Sequence, residues 1–160
     1  LLLAVARPAA RLRIEGLEHV PPTGPLLVVA NHLHNADPAL LAIAFPRPLY
    51  FMSKRELFAH RPFGRLLRWL GAFPVDRGKA DRAAIRQAEA LLAAGEAIAM
   101  FPEGTRSKLG TLGRGQAGAG LILVRSGAPV LPVALTGTEH LPGGPGVVIR
   151  FGPATRLETT

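Results

Sequence analysis

Two short stretches of this chain hold residue types that do chemistry. They are Asn31-His32-Leu33-His34-Asn35-Ala36-Asp37-Pro38 and Phe101-Pro102-Glu103-Gly104-Thr105-Arg106-Ser107. In the first, an imidazole is followed by a carboxylate after a short gap. A carboxylate on one ring nitrogen fixes the tautomer and makes the other nitrogen a better base. In the second, Pro102 stiffens the exit from an apolar run and Gly104 permits a tight turn. Thr105 and Ser107 offer hydroxyls beside Arg106, whose planar guanidinium suits a phosphate. Lys108 and Arg114 add positive charge downstream. Together the stretches describe a hydroxyl activated by a base beside a bound anion.

Each stretch needs an element to position it. Residues 26–30 and 97–101 are apolar runs that read as strands buried on both faces, so each motif sits where a strand passes into a loop. Asp37-Pro38 reads as a helix start, with Asp at the N-cap and Pro at the first helical position. A short buried helix over 38–45 follows, stopped by Pro46 and Pro48. Residues 11–16 alternate as an edge strand does, and 49–52 form a further strand. Residues 55–70 read as helical with an interruption near Pro62, and 73–75 are extended. A helix over 80–94 turns Ile85, Ala88, Leu91 and Leu92 to one face and ends at Gly95. Another helix spans 116–125. Strands over 130–135 and 147–151 complete the pattern, the last closing the sheet. Strands alternating with helices predict one α/β domain over residues 1–160, with a mixed, largely parallel sheet flanked by helices. Ligands of such sheets bind outside the carboxyl ends of strands, where both motifs fall.

Composition narrows the function classes. Of 160 residues, 48% are apolar and 19% charged, which argues for a packed core and against disorder. A formal net charge of +8 favours anionic partners. The absence of cysteine excludes a thiol nucleophile, a disulfide scaffold and a thiolate-bound metal. No apolar run approaches the roughly 20 residues of a membrane-spanning helix. The first residue is not Met, and the expectation is a fragment whose missing termini are open to any anchor.

His34 introduces a metal alternative. His32-x-His34 with a nearby Asp resembles the His-x-His-x-Asp-His segment of metallo-β-lactamase-like hydrolases. In that segment the Asp stands two positions after the second His and is followed by another His. Here Asp37 comes one position later and is followed by Pro38, while His60 and His140 are isolated. No second cluster completes a zinc shell. The expectation is no metal, with His34 a loop residue lining the site.

The ordered motifs resemble the glycerolipid acyltransferase family typified by bacterial 1-acylglycerol-3-phosphate acyltransferases. That family carries Asn-His-x4-Asp, Gly-x-x-Phe/Ile-x-x-Arg, Phe-Pro-Glu-Gly-Thr-Arg-Ser and an apolar Val-x-Pro-Val stretch. This chain has Asn31-His32 to Asp37, Gly71-Ala72-Phe73-Pro74-Val75-Asp76-Arg77, the full third motif, and Val130-Leu131-Pro132-Val133, in the same order. Lys54-Arg55-Glu56-Leu57-Phe58 is similar to the family's Lys-x-Glu-Leu-Phe segment. The likeness covers nearly all of residues 13–155. His34-Asn35, where small Ser residues are common, and the glycine-rich 110–120 depart from it.

The resemblance implies specific roles. His32 is the general base on the sn-2 hydroxyl of a lysophosphatidate-like acceptor, and Asp37 orients it. The hydroxyl attacks the thioester of acyl-CoA or acyl-carrier protein directly, with no cofactor beyond that co-substrate. Arg106 and Lys54 hold the acceptor phosphate with Arg77 in support, and Glu103 and Gly104 shape the glycerol site. Amides near Gly104 or Thr105 are candidates to steady the oxyanion. A lysophospholipid acceptor implies a peripheral protein on the cytoplasmic face of the membrane. A related acyltransferase acting on glycerol-3-phosphate, a lysophospholipid or another lipid hydroxyl stays open.

Two further readings concern the surface. Residues 54–70 interleave Leu57, Phe58, Phe63, Leu66, Leu67, Trp69 and Leu70 with Lys54, Arg55, Arg61, Arg65 and Arg68. Such a segment suits an anionic membrane interface, or else its apolar face is core and its arginines are solvated. A basic module binding nucleic acid is the remaining class. It predicts interleaved exposed aromatics and a recognisable nucleic-acid motif, neither of which is found, and it leaves His32, Asp37 and Glu103 unexplained.

Overall fold

Apolar runs too short to span anything and too continuous to face water must stack in the middle of a sheet, and they do. The computed structural model describes residues 11–76, 81–106 and 115–156. Its strands are β1 (Arg13–Glu15), β2 (Leu26–Ala30), β3 (Leu49–Lys54), β4 (Ala72–Val75), β5 (Ala97–Met100), β6 (Val130–Thr136) and β7 (Val148–Phe151). Its α-helices are α1 (Asp37–Ala44), α2 (Arg61–Trp69), α3 (Arg82–Ala93) and α4 (Ala117–Ser126). The strands form one sheet in the order β1-β7-β6-β2-β5-β3-β4. Strands β2 to β6 run parallel; β7 is antiparallel to β6, and β1 is parallel to β7. The expected mixed, largely parallel α/β sheet is therefore what forms.

Side-chain alternation sorts the core into two layers. Leu26, Val28 and Ala30 of β2 face one side with Ala97 and Ala99 of β5, packed under Leu40, Leu41 and Ala44 of α1. Leu27, Ile98 and Met100 face the other side, against Ala84, Ile85, Ala88 and Leu92 of α3 and Ile122 of α4. The face read for α3 is the face it buries, with Leu91 partly buried at its margin. Each fully buried Leu or Ile contributes roughly 1.5–3 kcal/mol, so the central strands anchor the edge that carries the motifs.

Three expectations need correction. The strand at 147–151 does not close the sheet: β7 lies inside it, between β1 and β6. A hairpin-like antiparallel pairing with β6 puts it there, and β1 then takes the edge. The strand at 49–52 continues to Lys54, because Ser53 and Lys54 pair with Pro74 and Val75 of β4. The N-cap of α1 is Ala36 rather than Asp37. Asp37 is the first helical residue, and its carboxylate turns back to the loop instead of forward along the helix.

The interruption near Pro62 is as expected. A 3₁₀ turn (Arg55–Phe58) ends before α2, and Pro62 occupies the first turn of α2, where its missing N–H is no loss. At the opposite end of the sheet Arg47 donates to the carbonyls of Gly24 at 2.7 Å and Gly95 at 3.4 Å, tying two turns together. No helix among the described residues is long and apolar enough to cross a membrane.

Candidate active site

The alternation that turns Val28 and Ala30 toward α1 continues past the strand end and delivers His32 to the same side. Asn31 holds that exit in place. Its side-chain Nδ2 donates to the carbonyl of Leu135 at 2.8 Å, and the Leu135 N–H donates to its Oδ1 at 2.7 Å. This fork does what a further pair of ladder bonds would do between β2 and β6. Asn31 was legible only as the first residue of the motif; its partner lies too far along the chain for any local signal.

His32 is 7% exposed and Asp37 is 0% exposed. The His32 Nδ1 donates to Asp37 Oδ2 at 2.8 Å. The same oxygen accepts the backbone N–H of Leu33 at 2.6 Å and of His34 at 2.7 Å, so the loop is wound around the carboxylate. Burial by itself pushes the Asp37 carboxyl up. The hydrogen bonds from His32, the His34 amide, the Thr138 hydroxyl and the Leu33 amide outweigh it and hold the carboxyl below its ordinary value. Asp37 is thus ionised at neutral pH and accepts the Nδ1 proton, which leaves Nε2 as the ring nitrogen whose lone pair can take a proton. That is the tautomer a general base needs.

The second motif meets the first at Phe101. Its ring lies 4.5 Å from the His32 ring, centroid to centroid, at an interplanar angle of 31°. The sheet explains the contact: Val29 pairs with Met100, so β2 and β5 leave the sheet side by side. After Phe101 the chain turns at once, with the Gly104 N–H donating to the Phe101 carbonyl at 2.9 Å. Gly104 has φ +68°, and a Cβ there would lie 3.0 Å from Cγ of Gln116. Both the turn and the close approach call for glycine. Gln116 fastens the loop further, its N–H donating to the Pro102 carbonyl at 2.7 Å and its Nε2 to the Glu103 carbonyl at 3.4 Å. The Gly104 amide is therefore engaged within the loop and is not free for a developing oxyanion.

Thr105 and Arg106 are exposed at the tip of this loop. Lys54 ends β3, which pairs with β5 on the side away from β2. It therefore stands roughly 10 Å, two strand spacings, from the exit of β2. Lys54 Nζ lies 3.4 Å from Glu56 Oε1, a half-exposed pair open to exchange for a stronger anion. Arg77, like Ser107, Lys108 and Arg114, lies outside the described residues. The residues flanking it are tied together: Arg55 Nε donates to Asp76 Oδ1 at 2.6 Å, and the Asp76 N–H donates to Asp81 Oδ2 at 2.9 Å. His34 Nδ1 accepts the Ala36 N–H at 3.2 Å, so one of its two ring nitrogens is engaged within the loop. Among the described residues no three His, Cys, Asp or Glu side chains group to hold a metal ion.

One edge of the sheet thus carries an oriented base, a glycine-built loop ending in an arginine, and a lysine. Comparison with known proteins places the chain. The Acyltransferase family model matches residues 11–136. The chloroplastic 1-acyl-sn-glycerol-3-phosphate acyltransferase LPAT1 of Arabidopsis thaliana is 31% identical over 149 residues, 91% of this chain and 42% of that protein. The 1-acyl-sn-glycerol-3-phosphate acyltransferase of Streptococcus pneumoniae is 36% identical over 119 residues, 73% of this chain and 44% of that protein. The chain thus spans less than half the length of these two relatives. The crystal structure of the 1-acyl-sn-glycerophosphate acyltransferase PlsC from Thermotoga maritima superposes with a TM-score of 0.73 at 26% identity. That match covers 97% of this chain and 69% of that one.

Proposed function

The chain belongs to the acyltransferase family, and from that premise we propose that it moves a fatty acyl group from a thioester to the sn-2 hydroxyl of 1-acylglycerol-3-phosphate. The observation that carries the reading is the stacking of His32, already paired with Asp37, on Phe101, the residue that opens the anion-binding loop. It supports a base and a phosphate site that serve one substrate. His32 Nε2 takes the proton of the acceptor hydroxyl as its oxygen bonds to the thioester carbonyl carbon. The tetrahedral adduct collapses by breaking the carbon–sulfur bond, and the leaving thiolate takes the proton back from the imidazolium. Acyl-CoA and acyl-carrier protein both present that bond. Asp37 balances the charge that His32 acquires. Arg106 and Lys54 hold the acceptor phosphate with Arg77 in support, while Glu103, Gly104 and Thr105 form the wall near the glycerol.

The test is release of free thiol from acyl-CoA or acyl-carrier protein with a panel of acceptors: 1-acylglycerol-3-phosphate, glycerol-3-phosphate and a lysophospholipid. The reading expects the first to give the highest kcat/KM; preference for another acceptor would move the protein to a related activity. Replacing Arg106 with Ala is expected to raise the KM for 1-acylglycerol-3-phosphate about tenfold or more, with the donor KM little changed. The same variant loses nothing toward 1-acylglycerol, which has no phosphate. An equal loss with both acceptors would remove Arg106 from the phosphate site.

The acceptor's fatty chain brings the site to a bilayer, and α2 supports peripheral contact there, on the cytoplasmic face where the thioester donors are. At 100° per residue the helix carries three stripes. Gly64 and Leu67 are buried, Phe63, Leu66 and Trp69 form an exposed apolar stripe, and Arg61, Arg65 and Arg68 are exposed on the third side. Trp69 is 72% exposed, far more than a core residue. An exposed apolar stripe beside arginines suits an anionic interface. Trp69 is the single Trp of the chain, so its fluorescence reports on this helix alone. The emission is expected to shift to shorter wavelength with anionic vesicles and not with neutral ones. An unchanged spectrum with both would contradict membrane contact through α2.

A further inference from the structure

Asp37 directs one carboxylate oxygen, Oδ2, at all three of its short donors. The other, Oδ1, is buried and has no hydrogen-bond partner. A charged oxygen in that position is strongly unfavourable unless a donor faces it. Thr138 is the candidate donor. It is 0% exposed, its Oγ1 is likewise buried without a hydrogen-bond partner, and its hydroxyl is among the groups that lower the Asp37 carboxyl. Two buried polar atoms are thus each left without a partner, and each could satisfy the other.

The chain goes to some length to put Thr138 there. Leu135, near the end of β6, is gripped by Asn31, the residue before His32. Gly137 then turns the chain at φ +83°, where an added Cβ would lie 2.0 Å from the Gly146 carbonyl oxygen. No other residue fits that turn, and the 3₁₀ turn Thr138–His140 starts directly after it. Thr138 thus stands three residues beyond the point where β6 is tied to the residue before His32.

We propose that Thr138 is a positioning residue for the base: its hydroxyl donates to Asp37 Oδ1 and fixes the carboxylate plane so that Oδ2 stays in line with His32 Nδ1. Thr138 touches no substrate and acts only through Asp37. The same hydroxyl is among the groups that hold the Asp37 carboxyl below its ordinary value, as a donor to the ionised form must. Its kinetic consequence rests on the acyl-transfer reading above; the contact itself does not.

The experiment pairs Thr138→Val, which keeps the shape and removes the hydroxyl, with Thr138→Ser, which keeps the hydroxyl and removes the methyl. In acyl transfer, Thr138→Val is expected to lower kcat about tenfold while both KM values stay within about twofold, and Thr138→Ser to stay near wild type. In parallel, the Asp37 carboxyl-carbon resonance of protein labelled with 13C-aspartate is followed against pH. Its midpoint is expected at higher pH in Thr138→Val than in wild type or Thr138→Ser. Wild-type behaviour of Thr138→Val in both measurements overturns the proposal. So does a Ser variant as impaired as the Val variant, which would mark a packing role for the methyl. If the wild-type protein transfers no acyl group, the functional reading fails, and the aspartate titration still decides whether Thr138 holds Asp37.

Discussion

Replacing His32 with Ala is expected to reduce acyl transfer by about 10³-fold or more, the upper part of what a positioned general base contributes. The expectation comes from the geometry. The ring is 7% exposed, lies against Phe101 and is bonded to Asp37, so its free nitrogen is held in one orientation. The fold survives the change. Asp37 keeps the amides of Leu33 and His34, and the main loss is a small cavity beside Phe101, costing about 1–3 kcal/mol. Circular dichroism and a melting curve on the same preparation separate the two effects. A folded variant with near-normal turnover would show that His32 is not the base.

Replacing Asp37 with Asn is the second large effect, and it is more discriminating. The Asn carbonyl oxygen can occupy the position of Oδ2 and accept from His32, Leu33 and His34, while its NH2 turns to Thr138, whose hydroxyl can accept. Geometry is then largely preserved and the negative charge is gone. If Asp37 served only to orient the ring, the Asn variant would be active. The account instead expects a fall in kcat of about 10²-fold or more, because the imidazolium formed in the transition state loses its counter-charge.

The charge of Asp37 also sets a pH dependence of stability. Its carboxyl titrates below the ordinary value in the fold, so the stabilisation is complete above that value and is lost as pH falls through the lower, folded one. Acid melting curves should therefore show a steeper loss of stability for wild type than for Asp37→Asn in that range. Parallel curves would mean that Asp37 gains nothing from being ionised.

The parts of this molecule legible in sequence are those set by short-range pattern. Leu26–Ala30 is a strand because five apolar residues in a row have no place but the centre of a sheet, and residues 26–30 are where β2 lies. The amphipathic spacing of Ile85, Ala88 and Leu92 predicts the buried face of α3 for the same reason. The pairing of His32 with Asp37 follows from a short loop between a strand end and a helix start. What stayed hidden depends on partners distant in the chain. Neither Asn31 nor Thr138 carries a local mark of its role, since one is defined by β6 and the other by a turn beyond it. The placement of β7 inside the sheet is likewise a matter of pairing with β6, which alternation along 147–151 does not encode. Residues 54–70 show the limit of periodicity itself. It marks an amphipathic segment, but only the packed structure separates Leu67, which faces the core, from Leu66 and Trp69, which do not.

The site follows the same division. The turn after Phe101 was readable from Pro102 and Gly104, and it forms there with Gly104 at φ +68°. That it lies against His32 follows from strand order, because β5 is the neighbour of β2. Sequence separation between the motifs says nothing of that.

The most direct measurement of the central claim is thiol release from an acyl thioester by the purified protein, with and without 1-acylglycerol-3-phosphate, wild type beside His32→Ala. The account predicts release that requires the acceptor, matches the diacyl product mole for mole, and disappears in the variant. Release that ignores the acceptor, or proceeds equally well without His32, would contradict it.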